Sequence, residues 1–168
     1  MAKKPQQKPG KSEQTVGTPA AFIRAVEAWR GKLDFDLCAL PSNAKAPRYF
    51  TPEQDSLKQN WAALRGRLWC NPPYGDVEPW VAKMAAECGV YNHGIVLIPA
   101  SVDSNYWEKY IHRSAAIYWV KGRLTFDGHI HNFASALALL IYGELPGYHG
   151  QWDWKQSERV AAQGVLFG

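Results

Sequence analysis

Apolar and polar residues along the chain repeat with two different spacings, which predict helices and strands. Helical spacing of apolar residues predicts a first helix over 20–29, with Thr18 as its N-cap and Gly31 after its end. Alternation of apolar with acidic residues over 33–39 predicts the first core strand. A continuous apolar run over 94–100 predicts a strand buried on both faces. The mixture of spacings predicts an α/β fold.

The remaining pattern continues this alternation of strands and helices to the end of the chain. Further helices are predicted over 77–88, 105–113 and 155–160, and further strands over 48–51, 68–70, 116–120 and 135–142. Strands that alternate with helices are typical of a mostly parallel sheet between two helical layers. The chain after 142 is predicted to pack back on the domain and to contain no further strand.

Composition and charge predict one globular domain preceded by a basic tail. The chain has 168 residues, of which 46% are hydrophobic, and a net charge of +4. Residues 1–17 carry four lysines and one glutamate, which gives +3 and leaves +1 for 18–168. We predict a flexible tail over 1–17 and a single domain over 18–168. The tail either adds non-specific affinity for a polyanion or is a solvated leader, and its charge does not decide between them.

Cysteine usage and hydropathy favour a cytoplasmic protein without metal. Cys38, Cys70 and Cys88 are an odd number without paired metal-ligand spacing, which indicates a reducing compartment. His129 and His131 have no third ligand nearby in the sequence, so we expect no metal site. No apolar run approaches the roughly 20 residues of a membrane span, and the lysine-rich start does not resemble a signal peptide.

The most informative motif follows the strand predicted over 68–70 and consists of Asn71, Pro72, Pro73 and Tyr74. The prolines end the ladder, so Asn71 and Tyr74 are expected at the carboxyl edge of the sheet, where open α/β folds bind ligands. The Asn71 side-chain oxygen and the Pro72 carbonyl would accept the two N–H bonds of an aromatic amine. The Tyr74 ring would stack on a planar base. The alternative is that the motif is only a turn.

The motif resembles that of amino-methyltransferases that use S-adenosylmethionine, and the surrounding pattern resembles the phage-type DNA N6-adenine methyltransferases, a small Dam-like family. Each matching segment is weakly specific alone, whereas together and in family order they are specific. They are Thr18-Pro19, 35–41, 43–45, 47–51, 55–57, Trp61, 69–75, 97–100, Asp103, Trp107, 122–124, Phe126 and 133–137.

This resemblance implies a Rossmann-like class I methyltransferase fold with three α/β/α layers, one antiparallel strand and an abbreviated cofactor half. It implies methyl transfer from S-adenosylmethionine to N6 of adenine in double-stranded DNA, with the base flipped out. Asn71, Pro72, Pro73 and Tyr74 would be catalytic, and no metal is implied. It also implies a phage or prophage protein in the host cytoplasm, acting as a monomer or weak dimer on a short palindrome such as GATC.

The resemblance also places the cofactor. The expected cofactor-binding residues are Thr18, Asp36, Cys38, Asn43, Asp55, Leu57 and Asn71. Asp36 has a structural alternative, in which its carboxylate is tied to backbone N–H groups, and Asp55 is alternatively a solvent-facing carboxylate. The chain departs from the family in two places. It has no glycine-rich loop after the first strand, where Pro41 to Asn43 stand, and it has Ser101 where the family has arginine.

Contacts with DNA are expected in the loop over 121–133, from Lys121, Arg123, His129 and His131. Basic side chains beside aromatic rings suit phosphate and base contacts. Two other functions stay open from the sequence. The motif also occurs in enzymes that methylate glutamine amides in proteins or adenines in RNA, and the fold could belong to a catalytically silent DNA-binding relative.

Overall fold

The structure is a computed structural model that describes residues 17–162, and it is built on one seven-stranded sheet. The helices are α1 (Ala20–Arg30), α2 (Glu78–Glu87), α3 (Asn105–Tyr110) and α4 (Trp154–Ala162). The strands are β1 (Phe35–Asp36), β2 (Arg48–Tyr49), β3 (Gly66–Cys70), β4 (Asn92–Pro99), β5 (Ala115–Lys121), β6 (Leu137–Tyr142) and β7 (His149–Asp153).

The sheet is mostly parallel, as predicted. Its strand order is β2-β1-β3-β4-β6-β5-β7. Among the described residues, β6 is the strand that runs antiparallel to both of its neighbours, while the other pairs are parallel. The carboxyl ends of β1, β2, β3 and β4 therefore lie along one edge of the sheet. The prediction of a mixed α/β fold with one antiparallel strand is confirmed.

Helices cover both faces of this sheet, because side chains of the central strands alternate in direction. Ile95 of β4 packs in one hydrophobic cluster with Phe22 of α1 and Trp154 of α4. Its neighbour Val96 packs in a second cluster with Val81 of α2 and with residues of α3. The continuous apolar run of β4 is thus buried on both faces, as its sequence indicates.

The first strand is much shorter than the alternation over 33–39 predicts. Ladder pairing covers only Phe35 and Asp36, although the backbone N–H groups of Asp34 and Leu37 still donate to β3 at 2.9 and 2.8 Å. The chain then turns away, because the Asp36 carboxylate accepts the N–H of Cys38 at 3.1 Å. Strands β1 and β2 have two residues each, so this side of the sheet is abbreviated.

Two local predictions were wrong. The chain after 142 contains the strand β7, which pairs with β5 at the sheet edge, before the predicted C-terminal helix. Its sequence is mostly polar and Trp152 is its buried side chain, so it lacks the alternation that marks a strand. Within the described residues no side chain caps α1, which begins at Ala20 after Pro19. The Thr18 hydroxyl is bonded to Asn71 instead.

The predicted basic tail and the end of the chain fall on residues 1–16 and 163–168, which lie outside the described residues. Gly17, the last residue assigned to the tail, accepts the backbone N–H of Asp127 at 2.9 Å. Within 17–162, no helix has both the length and the apolar character needed to cross a membrane.

Candidate active site

A cavity of about 640 Å³ lies at the carboxyl edge of β1, β2 and β3. Its volume falls in the range of roughly 300–1,000 Å³ that is usual for small-molecule sites. The segments that follow these three strands form most of its wall, and a loop between β5 and β6 completes it. The residues that line it include Gly17, Thr18, Asp36, Cys38, Asn43, Lys45, Phe50, Pro52, Asp55, Ser56, Asn71, Pro72, Pro73, Tyr74, Trp80, Phe126, His129, His131 and Phe133.

Asn71 lies in the cavity wall directly after β3, where Pro72 and Pro73 prevent the strand from continuing. Its side-chain Nδ2 donates a hydrogen bond of 3.2 Å to Oγ1 of Thr18, a residue that is only 1% exposed. The other amide atom, Oδ1, is buried and has no hydrogen-bond partner. Thr18 therefore fixes the amide plane and leaves one acceptor unused.

Unpaired polar atoms are concentrated in this cavity wall. Among residues 17–162, five buried side-chain nitrogen or oxygen atoms lack a hydrogen-bond partner, although one of them, Glu144 Oε1, forms an ion pair with Arg30. Three of them, Ser56 Oγ, Asn71 Oδ1 and Tyr74 OH, belong to residues that line the cavity. Buried polar groups in folded proteins are nearly always hydrogen-bonded, because an unpaired group loses its water without compensation. Their clustering indicates that a polar ligand completes the site.

Tyr74 belongs to a group of three aromatic rings at one side of the cavity. Its ring centroid lies 6.0 Å from Phe126 and 5.4 Å from Phe133, in both cases with the planes steeply inclined. Burial raises the pKa of the Tyr74 hydroxyl well above its usual value. The phenol therefore stays neutral at physiological pH. Tyr74 can offer the site a ring surface and a neutral hydroxyl, but it cannot act as a base.

Asp36 has the structural role that the sequence offered as one alternative, and it also lines the cavity. Its carboxylate accepts backbone N–H groups from Cys38 at 3.1 Å and from Lys45 at 2.9 Å, which ties down the turn after β1. It also lines the cavity while only 2% of the residue is exposed. Burial raises the pKa of Asp36 to about 6, against the opposing effect of the two N–H donors. At neutral pH this carboxylate is mostly ionised and can accept further hydrogen bonds from the cavity side.

Most of the expected cofactor residues lie together in the cavity wall, including Thr18, Cys38, Asn43 and Asp55. Burial raises the pKa of the Cys38 thiol to about 12, so it is an unreactive wall residue. Asp55 lies at the rim, where its side chain is 44% exposed and pairs with Lys58 at 2.8 Å. Leu57 is not among the residues that line the cavity, and its side chain packs against a hydrophobic core cluster.

The four residues expected to bind DNA are divided between two places. His129 and His131 are exposed and line the cavity, on the loop that carries Phe126. Lys121 lies at the end of β5 and pairs with Asp153 at 3.0 Å. Arg123 lines a separate hollow of about 260 Å³ and donates to two backbone carbonyls at the end of the loop, at 3.3 and 3.1 Å. Arg123 thus fixes the base of the loop, while the histidines face the cavity.

Sequence reasoning missed several wall residues. Lys45 and Phe50 fall in segments that carry the family resemblance and follow β1 and β2, so their position after strand ends was an available signal. Ser56 lies between Asp55 and Leu57, both of which were predicted to bind the cofactor. Trp80 could not be recognised, because it belongs to the apolar stripe of α2 and reads as core. In the part of the chain that the structure describes, no group of three His, Cys, Asp or Glu residues could hold a metal ion.

Comparison with known proteins identifies the family of this chain. A model of the family "DNA N-6-adenine-methyltransferase (Dam)" matches residues 7–138. The DNA N-6-adenine-methyltransferase of Haemophilus phage HP1 (strain HP1c1) is 32% identical over 108 residues, which cover 62% of this chain and 61% of the phage protein. That of Escherichia phage T1 is 28% identical over 110 residues, which cover 66% of this chain and 46% of that protein.

The matches thus span about three fifths and just under half of the length of these two relatives. The family model covers more of this chain than either relative does. Residues 7–138 include every strand from β1 to β5 and the loop that closes the cavity. It also includes Asn71, Tyr74 and the residues around Asp36. The chain belongs to the DNA N-6-adenine-methyltransferase (Dam) family.

Proposed function

We propose that this protein transfers a methyl group from S-adenosylmethionine to the N6 amine of adenine in double-stranded DNA. The observation that carries the proposal is the unpaired, buried Oδ1 of Asn71 in the wall of a 640 Å³ cavity, beside an amide nitrogen anchored on Thr18. An aromatic amine has its lone pair delocalised into the ring. Two acceptors on its N–H bonds hold the amine in place and localise that lone pair on nitrogen.

Asn71 and Pro72 provide these acceptors. The Asn71 Oδ1 accepts one N–H bond and the Pro72 carbonyl accepts the other, while the Pro72-Pro73 pair keeps that carbonyl from moving. Thr18 acts through Asn71, because its bond to Nδ2 selects the orientation that presents oxygen to the amine. Correct positioning of the reacting groups supplies most of the rate in such a transfer.

The target base would enter beside Tyr74. Adenine inside a duplex is inaccessible, so an enzyme that modifies N6 must rotate the nucleotide out of the stack and hold it between apolar or aromatic groups. The Tyr74 ring, with Phe126 and Phe133 next to it, forms such a wall. His129 and His131, which line the cavity from the same loop, would contact the displaced strand or the adjacent phosphates.

The residues of the wall fit the cofactor. When bound, S-adenosylmethionine supplies an electrophilic methyl group on a sulfonium centre. Asp36 offers an ionised, buried acceptor for an ammonium or for ribose hydroxyls, and Asn43, Cys38 and Asp55 lie around it. The three unpaired polar atoms in the wall match a ligand with several hydrogen-bonding groups.

We further propose a Rossmann-like methyltransferase fold in a single domain over 18–168, acting as a monomer or weak dimer in the cytoplasm of a phage-infected cell.

The test is a methylation assay with the full chain and S-adenosylmethionine labelled in its methyl group. Double-stranded DNA, RNA and a protein mixture are supplied separately, and the nucleic acids are then digested to nucleosides. We expect label in N6-methyladenine from DNA. Label in RNA adenosine or in protein glutamine instead would overturn the proposed substrate. An absence of label, together with no thermal stabilisation by the cofactor, would support a catalytically silent relative.

A further inference from the structure

The Ser56 hydroxyl is an unpaired polar group in a different segment of the cavity wall from Asn71. The residue is 5% exposed and lines the cavity, yet its Oγ has no hydrogen-bond partner. It follows β2, whereas Asn71 follows β3, and β1 lies between these strands. The wall of the cavity thus has unpaired polar atoms in segments that follow two different strands.

We propose that the Ser56 hydroxyl binds the adenine ring of S-adenosylmethionine and determines specificity for the nucleoside part of the cofactor. The proposal rests on the proposed function and deepens it. It replaces the expected contact from Leu57, which is packed in the core, with one from its neighbour. In the tight turn Ser56–Lys58, successive side chains point in different directions, so only one of the two can face the cavity.

The backbone of Ser56 is held in place by two hydrogen bonds to its carbonyl. The indole Nε1 of Trp61 donates to it at 2.9 Å, and the backbone N–H of Gln59 donates at 3.0 Å. Trp61 is itself fully buried and stacks on Trp80, with ring centroids 6.0 Å apart. These bonds restrain the Ser56 backbone, while its hydroxyl can still rotate about χ1 between staggered rotamers.

The surroundings of Ser56 fit a planar aromatic ring better than the charged end of the cofactor. Phe50 and Pro52 line the cavity from the segment that leads to Ser56, and the lining residue Trp80 stacks on Trp61, whose indole bonds to the Ser56 carbonyl. Of the charged wall residues, Asp36 ends β1 and Lys45 lies in the loop after it, while Asp55, next to Ser56, pairs with Lys58 at 2.8 Å. An aromatic slot with one hydroxyl in its wall is a common way to bind a heterocycle, in which apolar contact supplies affinity and the polar group selects the ring.

An unpaired buried hydroxyl makes the free protein less stable than an apolar group of the same shape would. Ser56→Ala removes only that oxygen, so stability and affinity should change in opposite directions. We expect the melting temperature of the free protein to stay the same or rise. We expect affinity for S-adenosylhomocysteine, measured by calorimetry on the full chain, to fall about tenfold, as for one neutral hydrogen bond. Adenosine alone should show the same relative loss.

Ser104→Ala is the matched control, because the Ser104 hydroxyl is already bonded, at 2.6 Å, to the carbonyl of Ser101. That variant should lose stability and keep its affinity. Equal affinity of Ser56→Ala and the unsubstituted chain for S-adenosylhomocysteine would overturn the role of Ser56 while leaving the proposed function intact. If the unsubstituted chain binds neither S-adenosylhomocysteine nor adenosine, the proposed function fails and the Ser56 assignment fails with it.

Discussion

The two sides of the sheet are stabilised in different ways. Strands β4, β5 and β6 have eight, seven and six residues, and most of their side chains are buried. Strands β1 and β2 have two residues each. The long strands form the centre of both hydrophobic clusters, whereas the short ones are continued by loops that form the cavity.

Side-chain to backbone hydrogen bonds replace ladder pairing on the short side. Asp34 accepts the N–H of Arg67 at 2.7 Å, Asp36 accepts two N–H groups, and Asn43 accepts that of Leu40 at 2.8 Å. Such bonds hold loops in defined shapes without filling the space above them. The candidate site lies beside the short strands because apolar packing would close the cavity. Hydrogen bonds from side chains to the backbone hold the loops and leave the cavity open.

The largest effect is expected from Asn71→Ala, which removes the unpaired acceptor Oδ1 from the cavity wall. Methylation of DNA should fall by about a thousandfold, because an oriented hydrogen-bonding group at a reacting centre is worth that much. Cofactor affinity and melting temperature should change little. Asn60→Ala is the control, since Asn60 accepts the N–H of Ala63 at an exposed turn and should leave methylation unchanged. Loss of cofactor binding in Asn71→Ala would show that Asn71 holds the cofactor or the fold instead.

The next largest effect is expected from Leu140→Ala in β6, which tests how tightly the long strands are packed. Leu140 is fully buried between Val96 and Ile117 on the neighbouring strands. The free energy of unfolding, measured by urea denaturation, should fall by about 3 kcal/mol, because the truncation leaves a hole that rigid strands cannot fill. Cofactor affinity of the folded protein should be retained. A loss below about 1 kcal/mol would mean that this side is less tightly packed than described.

An intermediate effect is expected from pH, through Asp36. The folded carboxyl has a pKa of about 6, so below pH 6 it becomes protonated and cofactor affinity should fall about tenfold per pH unit. The stability of the free protein should depend on pH in the opposite direction. Its unfolded state, with the ordinary pKa of 3.8, releases the proton first, so stability decreases as pH rises from about 4 to 6.

Asp36→Asn separates this effect from general acid sensitivity. The variant should bind the cofactor at least about tenfold more weakly at pH 7 and show little change in affinity between pH 5 and 7. Calorimetric titrations at several pH values measure both properties. An unchanged pH dependence in the variant would assign the titration to another group and leave Asp36 with its structural role alone.

The smallest effect is expected from Lys121→Ala, which tests whether the carboxyl edge contacts DNA beyond the cavity. Lys121 already pairs with Asp153, so DNA affinity should fall only about two- to threefold and its salt dependence should decrease by about one unit of slope. Lys32→Ala is the matched control, because Lys32 pairs with Glu27 before β1, at the opposite edge of the sheet. Equal effects of the two substitutions would indicate only a general influence of net charge.

The sequence by itself determined the elements with strong apolar patterns and the motif that carries the chemistry. β4 and α2 were predicted within about two residues, because a buried strand and an amphipathic helix repeat their apolar positions in the order of the chain. The place of Asn71 and Tyr74 at the carboxyl edge also followed from the sequence, since prolines after an apolar run must end a strand.

Only the tertiary structure decided the features that depend on residues distant in the chain. The Thr18 hydroxyl is used by Asn71, 53 positions away, and so does not cap α1. β7 is a strand because β5 offers it an edge, although its own sequence is mostly polar. Ser56 is distinguished from Leu57 by which of them faces the cavity. Local patterns fix local conformation, whereas hydrogen-bond partners across the fold are chosen by packing, which no short stretch of sequence contains.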